Sequence, residues 1–152
     1  MVSVEIISIK KNDFDNSSLI TYKVSNLFGK NIFLVADNWF TWHYHDALIE
    51  INFARTRMIE GVSVFGYFLP ELQKMEPRNS VVKEISLKWP LKLNTIWNKQ
   101  NYANPEKGAH RLKIKIGYGF SEKIDMSETQ SVEDSVMNWQ KVSESRESII
   151  HI

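Results

Sequence analysis

The sequence predicts a mostly-β, single-domain chain, and three observations carry that expectation. Isoleucine occurs 16 times and valine 11 times against 5 alanines; β-branched side chains suit a pleated sheet and lose χ1 freedom in a helix. Apolar residues recur with a period of two in six short segments, which puts one row of side chains on each face of a strand. Clusters of Gly, Pro, Asn, Asp and Ser separate these segments where turns are needed. The 152 residues are 43% hydrophobic, enough for one core, so residues 1–152 are read as one domain.

The elements follow in order. Residues 2–10 form a first strand, in which Val2, Val4 and Ile6 alternate before Ile7 and Ile9 continue on the opposite parity. Such a switch predicts a bulge, or a strand buried on both faces. After the polar turn 11–18, residues 19–26 form a second strand with Ile20, Tyr22 and Val24 on one face. Gly29 supplies a tight turn into a third strand at 31–37, giving a hairpin. Residues 47–53 alternate Ala47, Ile49, Ile51 and Phe53 against Leu48, Glu50 and Asn52. Residues 62–69 are apolar on both parities and stop at Pro70, which predicts a central strand, with Gly66 marking a bulge or a close backbone approach. At 80–89, Ile85, Leu87 and Trp89 face one way and Glu84, Ser86 and Lys88 the other. At 110–120, Leu112, Ile114, Ile116 and Tyr118 face in and Arg111, Lys113 and Lys115 face out.

Two segments break this rhythm. Residues 90–109 are Asn-rich, contain Pro105 and Gly108, and read as a long excursion with one helical turn at 93–97. At 131–142, Val132, Val136, Trp139 and Val142 fall at helical spacing behind Ser131, a suitable N-cap. Residues 148–152 make a final edge strand. Seven or eight short strands with turns between them predict an antiparallel β-sandwich with Greek-key order, an up-and-down barrel being the alternative.

The run 72–80, with Pro77 in a turn before a strand that ends at Trp89, resembles the turn that leads into a strand in many bacterial immunoglobulin-like modules. In those modules Gly often follows the Pro-containing turn; here Arg78 and Asn79 take that place. The resemblance covers roughly twenty residues, implies an immunoglobulin-like sandwich and assigns no function.

Charge and composition narrow the classes of function. Nineteen basic against eighteen acidic residues lack the excess that a dedicated nucleic-acid binder needs. The balance is uneven along the chain: residues 1–120 carry +5 and residues 121–152 carry −4. Without cysteine, neither disulfides nor thiol chemistry is available. No signal-like or membrane-spanning run is seen, so a cytoplasmic location without membrane contact is expected.

The densest concentration of chemistry lies at 39–46, where Trp39, Phe40, Trp42 and Tyr44 stand among His43, His45 and Asp46. In a strand, Phe40, Trp42 and Tyr44 share one face, and Trp39, Thr41, His43 and His45 the other. Read as core, the aromatics fill a sheet interior; read as surface, they anchor a partner protein or stack on a sugar ring. His43 and His45 place two imidazoles on one side of a strand, two ligands of a metal site that would draw a third from Asp37, Asp46 or His110. Arg111, Lys113 and Lys115, with Lys88 beside them, would make a basic stripe. No nucleophile elbow occurs, and Gly117 and Gly119 lack the third glycine of a phosphate loop.

The expected function is therefore a non-catalytic protein-binding module of the adaptor, inhibitor or immunity type, needing no cofactor. Trp39, Trp42, Tyr44, Trp97 and Tyr102 are its candidate partner-binding residues. The alternatives are carbohydrate or other small-ligand binding at 39–45, and a structural subunit of a homo-oligomer.

Overall fold

The computed structural model describes residues 1–57, 68–92, 98–126 and 128–152. The strand expected at 62–69 falls almost wholly outside these residues, as do the helical turn at 93–97 and Trp97.

β1 (Val2–Asn12) and β2 (Ser17–Asn26) form an antiparallel hairpin, and β7 (Ser80–Lys88) joins the free edge of β2 to give the order β1-β2-β7. The parity switch in β1 is a bulge. Ile6 pairs with Tyr22 and Ser8 with Thr21, so Ile7 is the extra residue and turns out to solvent. The register shift lets Val2, Val4 and Ile6 point inward before the bulge and Ile9 after it.

A seven-stranded sheet is organised around β10 (Ala109–Gly119). One edge of β10 carries β5 (Leu48–Asn52) and then β3 (Ile32–Val35). The other edge carries β12 (Ser148–His151) and then β11 (Lys141–Glu144). β4 (Thr41–His45) extends the sheet beyond β5, and β6 (Leu72–Met75) extends it beyond β3. β8 (Leu91–Lys92) and β9 (Tyr102–Ala103) form a small ribbon within the excursion 90–109.

Three sequence expectations need correction here. The second and third strands do not form a hairpin: β2 pairs with β1 and β7 in one sheet and β3 with β10 and β6 in the other, so the chain at 27–31 crosses between sheets instead of turning back. The sheet is not wholly antiparallel: β5 and β10 run parallel, with Arg111 opposite Leu48 and Lys115 opposite Asn52. A period of two carries no strand direction, and the long connection between β5 and β10 permits either. The helix is also shorter than expected. α1 (Val132–Trp139) ends before Val142, which belongs to β11.

Both sheets feed one apolar core. Ile20, Tyr22, Val24 and Leu87 enter from the first sheet, and Ile49, Ile51, Leu112 and Ile114 from the second. Two local devices hold the ends of this core. Asn26, fully buried, donates its side-chain amide to the carbonyls of Lys30, Met75 and Glu76. The turn it grips has Arg78 at φ 68°, the left-handed position where a glycine carries no steric cost. At the other end, Ser131 caps α1 by accepting from the Asp134 N–H (3.1 Å), and Trp139 lies over Gly119, where any Cβ would meet the indole. No helix among the described residues is long and apolar enough to cross a membrane.

Candidate functional site

The aromatic segment reaches the structure as β4, an edge strand. Trp42 and Tyr44 point inward, while His43 and His45 point to solvent. Trp42 is 3% exposed and part of the core, and its indole N–H donates to the Lys92 carbonyl (2.6 Å). Tyr44 is half-buried, with its ring 5.9 Å from that of His110. Phe40 and Tyr22 flank the Phe53 ring at 5.6 Å and 5.5 Å.

Among the described residues, the outer edge of β4 is met by side chains rather than by another strand. The Trp42 N–H donates to the Asn98 side-chain oxygen (2.5 Å), and the Tyr44 N–H to that of Gln100 (2.6 Å). Gln100 returns a bond from its amide to the Tyr44 carbonyl (3.0 Å). Two carboxamides thus imitate the ladder that a neighbouring strand would supply, and they satisfy edge groups that otherwise recruit foreign strands.

Trp39 is half-buried beneath a cation. The Arg55 guanidinium lies 4.4 Å from the Trp39 ring centroid and 2.9 Å from the Asp37 carboxylate. It also donates to the Phe68 and Leu69 carbonyls (3.3 and 3.2 Å). The Arg55 backbone exchanges two hydrogen bonds with the Gln140 side chain, which ties the end of β5 to the end of α1. Nothing in the alternation around Arg55 marks it as buried, because it follows the strand rather than lying within it.

His43 and His45 have ring centroids 6.2 Å apart, and His45 Nε2 lies 3.0 Å from Asp46 Oδ2 at the surface. Of their suggested third ligands, Asp46 is that neighbour of His45, and the other two are engaged elsewhere. Asp37 faces Arg55, and His110 sits inside the sheet with Nδ1 3.3 Å from the Gly108 carbonyl. Among the described residues, no group of three His, Asp or Glu is placed to hold a metal ion. The expected basic stripe is interleaved with acids: Lys115 lies 3.0 Å from Glu50, Lys113 3.4 Å from Glu144, and Arg111 3.3 Å from Glu147. Lys88 is not beside them, because β7 lies in the other sheet.

A cleft of about 450 Å³ opens where β7 runs into β8. Its apolar walls include Phe40, Trp42, Trp89, Pro90 and Leu91. Trp89 is fixed there by an indole bond to Ser18 Oγ (3.1 Å) and by Asn16, which bonds both its N–H and its carbonyl. Lys88 and Lys92 stand on the rim, and neither forms an ion pair with another described residue. Asp15, also on the rim, accepts from Ser17 Oγ (2.5 Å). Two large apolar side chains stand exposed nearby: Phe14, next to Asp15 in the β1–β2 turn, and Tyr102, paired with Lys92 on β9 and 57% exposed.

Of the sequence candidates, Tyr102 lies on the surface beside this cleft and Trp42 forms part of its wall. Trp39 and Tyr44 lie elsewhere. Lys92, Leu91 and Phe14 carried no signal of their own, since short ribbons and turn tips have no periodicity to read. Comparison with known proteins finds no matching family model, no matching curated protein and no matching solved structure.

Proposed function

We propose that the chain is a non-catalytic protein-binding module built on an immunoglobulin-like Greek-key sandwich. The strand order supports the fold. In that architecture the first, second and fifth strands share one sheet, and the third, sixth and seventh share the other. β1, β2 and β7 fill the first set; β3, β10 and the β11–β12 pair fill the second. The β4–β5 hairpin and β6 are additions along the second sheet.

The binding surface in this reading is the cleft at the β7–β8 junction, and its occupant is a loop of a partner protein. The observation that carries it is Tyr102, a large exposed aromatic side chain beside an apolar cleft with a cationic rim. Aromatic anchors next to desolvated pockets dominate protein–protein affinity. Lys88 and Lys92 favour acidic residues flanking the inserted apolar side chain. The reading places the module in the cytoplasm, where a cysteine-free chain has nothing to lose to reduction.

The test replaces Tyr102 with a photo-reactive phenylalanine analogue, identifies the protein it captures, and titrates that protein in purified form. Phe14→Ser with Tyr102→Ser is expected to weaken binding at least about tenfold, while the melting temperature stays close to wild type because both side chains are exposed. Lys88→Glu with Lys92→Glu is expected to slow association, most strongly at low salt. Equal affinity of the captured protein for wild type and the Phe14/Tyr102 variant would overturn this surface.

A further inference from the structure

Lys83 shares the parity of Val81, Ile85 and Leu87 on β7, so it points toward the second sheet rather than to solvent. Its cross-strand partner on β2 is Tyr22. Both line a cavity of about 320 Å³ between the two sheets. Leu34 and Ile116 form the apolar side, and Phe40 and Phe53 form an aromatic wall continuous with the Tyr22 ring.

The charges around this cavity are unequal in their partners. Asp37 lines it, but its carboxylate is held by Arg55 at 2.9 Å. Glu84 follows Lys83 on the opposite parity of β7 and is exposed. Among the described residues, no carboxylate stands within ion-pairing distance of the Lys83 ammonium. Burial alone pushes the Lys83 pKa below its ordinary value, and burial pushes the Tyr22 phenol well above its own.

An inward lysine on an edge strand also discourages strand addition. That role needs only the charge. It does not need three aromatic rings and an open volume beside the charge, which together are the composition of a small-ligand pocket.

We propose that this cavity binds a small hydrophobic carboxylate, its apolar body against Tyr22, Phe40 and Phe53 and its carboxylate paired with the Lys83 ammonium. One cation matches one negative charge. A phosphate dianion would meet a single ammonium with Asp37 in the same wall, where such groups normally draw several donors or a bidentate arginine. The site is independent of the β7–β8 cleft, so either can fail without the other.

The test uses 3-phenylpropionate and its neutral isostere 3-phenylpropanamide, titrated into the full chain and followed by NMR. The acid is expected to shift the Lys83 side-chain, Phe40 and Phe53 resonances and to bind at least about tenfold more tightly than the amide. In Lys83→Met, which keeps an unbranched apolar stem and removes the charge, that preference is expected to vanish while the fold persists by melting temperature. Three results would each overturn the proposal. These are acid and amide binding alike to wild type, unchanged acid binding by folded Lys83→Met, or no shifts with either probe at about 10 mM, a concentration that would reveal even millimolar affinity.

Discussion

Trp42→Ala is expected to destabilise the protein by about 4 kcal/mol, in the range for truncating a large buried aromatic side chain. The indole is 3% exposed and packed with both sheets, so its removal leaves a cavity that the rigid β4–β5 pair cannot collapse to fill. The substitution also removes the donor to the Lys92 carbonyl, the bond that ties β4 to the β8–β9 ribbon. For a domain of this size the melting temperature should fall by roughly 10 °C. Urea unfolding checks the value, with the denaturant slope expected to stay unchanged. Trp42→Phe separates the two contributions, since it retains most of the ring volume and loses only the hydrogen bond. A Trp42→Ala loss below about 1 kcal/mol would mean that the side chain is not core.

Asp37→Ala is expected to cost a further large amount, about 3–5 kcal/mol, because it strands a buried guanidinium. The Arg55 side chain is 5% exposed and the Asp37 side chain 11%. After the substitution, Arg55 keeps its contacts to the Trp39 ring and to two carbonyls. These neutral contacts satisfy its N–H groups without balancing its charge. The double variant Asp37→Leu with Arg55→Met should recover much of the loss, since an apolar pair often matches or exceeds a buried ion pair. Denaturant unfolding of the two single variants and the double variant gives the coupling directly. Additive losses would show that the two side chains act independently.

Much of the β framework was legible because alternation is a physical signal of two unlike faces. Val2 to Ile9 announced a strand with a break in its parity, which left a bulge and a strand buried on both faces as alternatives; the pairing to β2 makes it a bulge, with Ile7 outside and Ile9 inside. Residues 112–118 declared their inward face correctly, as Leu112 and Ile114 are fully buried. At 39–46 alternation separated Trp42 and Tyr44 from His43 and His45, but it could not say which set met the core. Both sets are amphipathic, and only the β4–β5–β10 pairing decides between them. Val142 misled because its distance from Trp139 fits a helical turn by coincidence; the ladder to β10 claims it as strand. Asn98 and Gln100 left no trace because each acts across 56 residues of sequence on a neighbour that pattern cannot supply. Arg55 left none because its partners Asp37 and Trp39 lie outside any regular element whose periodicity could place them beside it. Lys83 was readable in retrospect. The apolar parity of Ile85, Leu87 and Trp89 extends backward through it, and one charge in such a row marks a place where the interior is not simply apolar.

The central place of β10 has a consequence for how the chain comes to be folded. β1, β2 and β7 are complete once residue 88 has been made, and the β1–β2 hairpin contacts are local enough to form early. The seven-stranded sheet must wait, because every path from β4 and β5 to β3 and β6 runs through a strand that starts at residue 109. Until then the nascent chain carries an apolar sheet face with nothing to cover it, the condition in which growing polypeptides aggregate or engage chaperones. Released chains truncated after residue 105 should accordingly be cut by added protease within the β1–β2–β7 region, whereas released full-length chains should resist. Equal resistance of both would mean that the first sheet closes on something other than β10. The last third of the chain therefore acts, during synthesis, as the keystone laid after the walls.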